Sequence, residues 1–124
     1  MVFTAKARNG SMISVSRDVT SLRETCGNGD EEGPDCEPNR ALLEELRRSL
    51  TDDTAVVSVM HANNETGVIY PIEEIGAVVK EKGAAFHCDA VQSVGKVPID
   101  LADSPIDLLS LSGHKLHGPK GVGA

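Results

Sequence analysis

Three short apolar runs, residues 55–60 (AVVSVM), 84–88 (AAFHC) and 106–111 (IDLLSL), alternate with one amphipathic stretch and polar turns. Runs of this length read as buried strands rather than helices. Between the first two, Ile72, Ile75, Val78 and Val79 recur at helical spacing, with Pro71 before them and Gly83 after, so a helix is predicted over residues 72–82. Strand, helix and strand in so short a span imply a crossover unit with parallel strands in one sheet, of the right-handed kind. The expected fold is therefore α/β, a mostly parallel sheet with crossover helices. Only 2% of the residues are aromatic against 40% hydrophobic, so aliphatic side chains must fill the core, and 124 residues suffice for one domain at most.

The composition changes near residue 40. Residues 21–39 (SLRETCGNGDEEGPDCEPN) combine glycines, prolines and carboxylates with little to bury, which predicts a mobile or disordered segment. Before it, residues 11–16 (SMISVS) read as a short strand. After it, Asn39 is placed to cap a helix over residues 41–50 (ALLEELRRSL), with Leu42, Leu43, Leu46 and Leu50 on one face. The expected organisation is an atypical or disordered segment, 1–38, followed by an organised unit, 39–124.

A net charge of -7 without any lysine or arginine cluster argues against a nucleic-acid surface, which needs grouped positive charge. No run approaches the ~20 apolar residues of a membrane span, and no basic region followed by an apolar stretch opens the chain. The cysteines Cys26, Cys36 and Cys88 form no paired framework. Reducing, cytoplasmic surroundings are expected.

Ligands of parallel sheets bind beyond the carboxyl ends of the strands. Asn63 and Asn64 follow the first predicted strand, Asp89 and Gln92 the second, and Ser112, His114 and Lys115 the third. A lysine or a carboxylate at a strand end is ordinarily a surface group or a turn former. Together they suggest more. A desolvated lysine amine can form a Schiff base with a carbonyl, and a carboxylate can keep a pyridine nitrogen protonated, which is the pairing that pyridoxal phosphate chemistry needs. Gln92 and Asn64 could hydrogen-bond the ring's phenolic oxygen, and Ser112 and His114 could donate to a phosphate.

The segments VSVMHANNETGVIYPIEEIG, FHCDAVQSVGKVPID and DLLSLSGHKLHGPKGVGA, in this order, resemble the large domain of cysteine desulfurases, members of the class-V aminotransferase family. The resemblance runs over about residues 40–124. It implies a partial large domain of a fold-type I, pyridoxal-phosphate-dependent transferase that takes sulfur from L-cysteine, leaving alanine and a persulfide for iron–sulfur cluster assembly. By resemblance Lys115 is the lysine that binds the cofactor covalently and takes the substrate Cα proton. Asp89 partners the pyridine nitrogen, Gln92 the phenolic oxygen, Asn64 lies by the ring and the substrate carboxylate, and Ser112 and His114 hold the phosphate. A homodimer and a scaffold or other sulfur-acceptor protein are the implied partners. Selenocysteine lyases and other class-V aminotransferases are the neighbouring alternatives.

Some family features have no counterpart. Residues 1–38 show neither the Gly-Thr phosphate turn nor the ring-stacking histidine, and none of the three cysteines stands in for the persulfide cysteine. The chain alone is therefore expected not to turn over cysteine, and a non-catalytic remnant or structural module is the alternative of another class. A metal site drawn from His61, His87, Cys88, Asp89, His114 and His117 fits no familiar ligand spacing. His87 instead shares a strand face with Asp89, where it is expected to orient that carboxylate. The glycine-rich stretch GPKGVGA lacks the spacings of a nucleotide-binding loop and reads as a turn.

Overall fold

The computed structural model describes residues 2–16 and 37–124. Among the described residues five strands form one sheet: β1 (Val2–Ala7), β2 (Met12–Ser16), β3 (Thr54–Met60), β4 (Ala85–Asp89) and β5 (Leu108–Ser110), in the order β2-β1-β3-β4-β5. Helix α1 (Glu37–Ser49) precedes β3, and α2 (Ile72–Glu81) connects β3 to β4. β3, β4 and β5 are parallel, whereas β1 is antiparallel to both its neighbours, so every strand but β1 runs one way.

Alternation divides the sheet into two faces. Ala5, Val57, Val59, Phe86 and Cys88 point to one side, where they merge with Leu42 and Leu46 of α1 and Ile72, Ile75, Val78 and Val79 of α2 into a single core. Arg47 of α1 pairs with Glu81 of α2 across the exposed side of the helix pair at 3.4 Å. At Gly76 α2 lies close against the sheet: a methyl group there would lie 2.9 Å from Phe86 Cδ1 and 2.8 Å from Pro105 Cβ. The opposite face, with Val56, Ser58, Met60, Ala85, His87 and Asp89, is half-buried.

Several expectations are corrected. The chain begins with a hairpin, β1 and β2, although only residues 11–16 were expected to be a strand. The six residues of β1, VFTAKA, are of mixed composition and take their strand character from pairing with β2 and with the distant β3. α1 starts at Glu37, ahead of the proposed Asn39 cap, because proline is tolerated in a first helical turn whose amides need no partner. Residues 37–39 are thus helical rather than disordered; the remainder of the expected disordered segment, up to residue 36, lies outside the described residues. Finally, β5 has three residues, and the connection from β4 to β5 consists of turns, so one crossover of the two is helical.

β5 is secured at its start by Asp107. Its carboxylate takes the Lys80 ammonium from α2 and accepts the Phe86 amide at 2.7 Å, while its own amide donates to Phe86 O at 2.9 Å. Lys80 and, secondarily, the Phe86 amide hold the Asp107 carboxyl below its ordinary range.

Candidate active site

The parallel register brings the expected residues to one edge. Asp89, the last residue of β4, lies opposite Met60 on one side and Ser110 on the other. The segments leaving β3 and β5 therefore flank it.

The loop after β3 doubles back on itself. His61 N donates to Asp89 O at 2.9 Å, extending the ladder by one step, and Tyr70 N donates to His61 O at 2.9 Å. Asn63 shapes the tip: its Oδ1 accepts the Glu65 amide at 2.9 Å and the Thr66 amide at 3.3 Å, the side-chain turn that asparagine favours. Asn64, next to it, is exposed. His61 and Tyr70 are both buried beneath this tip. Burial lowers the His61 pKa against the opposing pull of Glu73, and raises that of Tyr70.

Asp89 is half-buried, and its Oδ1 accepts the Val91 amide at 3.1 Å. This is the ordinary turn-forming role of an aspartate, and it leaves Oδ2 with no hydrogen bond among the described residues. Ala90 N donates to Ser110 O at 3.0 Å, and Ser93, fully buried, donates from Oγ to Ala90 O at 3.3 Å. Gln92 sits half-buried in the turn so formed.

Beyond β5 the chain forms a short 3-10 turn, Gly113–Leu116, with Ser112 ahead of it in extended backbone. Ser112 Oγ and His114 Nδ1 are 2.9 Å apart, so these two expected phosphate donors touch each other, with His114 exposed and Ser112 half-buried. Lys115 is half-buried and makes no ion pair among the described residues. The turn is closed behind by a returning strand segment: Gly113 N donates to Val122 O at 2.8 Å, and Leu111 and Ala124 exchange hydrogen bonds of 2.7 and 3.2 Å. Gly123 packs so near Leu111 O that an added Cβ would lie 2.8 Å from it.

One expectation about this edge fails. His87 does not hydrogen-bond the Asp89 carboxylate: Nδ1 is 2.7 Å from Ser58 Oγ and Nε2 is 2.8 Å from Ser110 Oγ. Both ring nitrogens are occupied by hydroxyls of the adjacent strands. Ser58 and Ser110 carried no local signal in the sequence, because only the register of three strands brings them to His87. Among the described residues no cluster of three or more His, Cys, Asp or Glu could hold a metal. Cys88, on the core side of β4, is fully buried, and desolvation, followed by the Asp89 and Glu73 charges, pushes its thiol up to about 11.

The chain is similar in sequence and fold to known proteins. The Aminotransferase class-V family matches residues 35–124. A cysteine desulfurase of Nostoc sp. is 62% identical over 82 residues, covering 66% of this chain and 20% of that protein. The cysteine desulfurase IscS of Anaeromyxobacter sp. is 63% identical over 79 residues, covering 64% of this chain and 20% of its own. Among solved structures, a NifS-like protein superimposes with a TM-score of 0.62 at 49% identity, over 65% of this chain and 23% of that one. DndA from Streptomyces lividans does so with a TM-score of 0.59 at 49% identity, over 65% and 22%. The chain thus spans about a fifth of the length of the curated relatives it matches. Within the matched region, the sheet and helices are those of a partial large domain of fold-type I. With the family matching residues 35–124, the chain belongs to the class-V aminotransferase family.

Proposed function

We propose that this chain is the central part of the large domain of a pyridoxal-phosphate-dependent cysteine desulfurase and carries that enzyme's lysine, Lys115. The observation that supports this most directly is the register that sets Asp89 between the ends of β3 and β5, with the Lys115 turn leaving one and the Asn64 loop leaving the other.

The donor set suits pyridoxal phosphate. Asp89 keeps Oδ2 for a ring N–H, Gln92 and Asn64 supply side-chain amides, and Ser112 and His114 supply neighbouring donors for phosphate oxygens. When bound, the cofactor supplies an electron sink for the substrate Cα. Lys115 Nζ, free of ion pairs among the described residues, serves as the amine that joins the cofactor and as the base that takes the Cα proton of L-cysteine. Asp89 holds the ring-nitrogen proton in place. Cys88 cannot receive the sulfur, because it is buried with its thiol pKa raised to about 11. The receiving thiol belongs to another part of the parent enzyme, and a homodimer and a sulfur-acceptor protein complete the proposed assembly.

Titration of the purified chain with pyridoxal phosphate tests this. A visible absorption band should form, be lost in Lys115→Ala and weaken in Asp89→Asn. A folded wild-type chain that gives no band, or a band unchanged in Lys115→Ala, would refute the assignment.

A further inference from the structure

We infer that His87 is a positioning residue that sets the ligand-facing ends of β3, β4 and β5 relative to one another. The inference rests on the reading above for its purpose, but its geometry stands apart from any cofactor. Ser58 is the direct register partner of His87, whereas Ser110 is the partner of Asp89, one pleat nearer the carboxyl ends. The imidazole therefore slants across the sheet. It takes Ser58 at its own level through Nδ1, at 2.7 Å, and Ser110 at the Asp89 level through Nε2, at 2.8 Å.

A neutral imidazole has one donor and one acceptor nitrogen, and a hydroxyl can serve either, so both bonds can form at once. Three parallel strands are thereby linked by a single half-buried side chain directly beneath Asp89.

The link matters most for β5. This strand has three residues and lacks a crossover helix in the connection leading to it. Its start is fixed by Asp107, but at its end, where the Ser112–Lys115 turn departs, the His87–Ser110 bond is the one side-chain tie to β4 among the described residues. Removing it leaves the far end of β5 to its backbone ladder alone. The turn bearing Lys115 then gains freedom relative to Asp89, while the core on the other face is untouched.

Amide hydrogen exchange on the full chain without ligand tests this. In His87→Ala, protection at Asp89, Ala90, Leu111 and Gly113 should fall by roughly fivefold to tenfold, the worth of one net hydrogen bond, while Val57, Val59 and Val79 keep theirs. Ser110→Ala, which retains the ring, should reproduce the effect on the β5 side and serves if His87→Ala does not fold. His87→Gln, whose amide can both donate and accept, should restore protection in part. Unchanged protection in Ser110→Ala, or a loss spread evenly over the sheet, would overturn the inference and leave His87 a general contributor to stability. A pyridoxal phosphate titration on the same samples separates the two proposals. A wild-type chain with the expected exchange pattern but no visible band defeats the functional reading and supports the positioning role.

Discussion

Gly76→Ala is a substitution for which two familiar effects oppose each other. In an exposed helix interior, alanine would stabilise by about 1 kcal/mol relative to glycine. Gly76 is instead buried on the side of α2 that faces β4. An added methyl would stand 2.8 Å from Pro105 Cβ and 2.9 Å from Phe86 Cδ1, and closer still to Pro105 Cγ, where carbon atoms normally keep ~3.5–4.0 Å apart. Phe86 is fully buried and cannot swing aside. Relieving the overlap requires α2 or the connection bearing Pro105 to move, and overpacking of this kind costs roughly 1–3 kcal/mol. Contacts this short place the cost in the upper part of that range, about 2–3 kcal/mol, so the clash outweighs the propensity gain, with a net loss of about 1–2 kcal/mol and a melting temperature lower by roughly 3–10 °C in a chain of this size. Thermal and urea denaturation followed by far-UV circular dichroism measure it. A double-mutant cycle isolates the cause, because in a Pro105→Ala background the added methyl should be tolerated and the sign of its effect should move toward stabilisation. An unchanged or raised midpoint for Gly76→Ala alone would refute the close approach of helix and sheet at this point.

Two further outcomes follow from the titrating groups. Cys88, pushed from 9.0 up to about 11, should react with a thiol reagent at neutral pH roughly a hundredfold more slowly in the native chain than in urea when Cys26 and Cys36 are replaced by serine; comparable rates would show the strand open. Asp107 has a folded pKa below the ordinary 3.8, so its contribution to stability is complete above that value and is lost as the pH falls through the lower, folded one. Acid titration of the melting temperature should therefore be flatter in Asp107→Asn than in the wild type over that window, and parallel curves would show that the Lys80 pair has no energetic role.

The central unit was legible because its signals are local. The apolar run of β3, the spacing of Ile72, Ile75, Val78 and Val79 in α2, and the residues flanking each strand end all report on their immediate neighbours, and the crossover rule then assembles them. What escaped detection depends on distant pairing. β1 has mixed composition and is a strand through its pairing with β2 and with the distant β3, and the hydroxyls of Ser58 and Ser110 meet His87 only after three strands are in register. Reading His87 by alternation alone put it on the correct face but assigned it the carboxylate on its own strand, because a single-strand view cannot see the two neighbours that are nearer. Asn63 illustrates the reverse case: its turn-forming role is local, and the structure uses it to present Asn64 at the exposed tip.

The exchange of hydrogen bonds between Leu111 and Ala124, backed by the Gly113–Val122 bond, makes the segment between them a loop tied at its neck. A tied loop has given up most of its conformational freedom before any ligand arrives. Ser112, His114 and Lys115 thus belong to a prearranged surface, whose ordering cost falls on folding and not on binding. Any anion or carbonyl compound that meets them encounters a fixed pattern of amine, imidazole and hydroxyl, so selectivity at this edge is decided by fit to that pattern more than by its capacity to adapt.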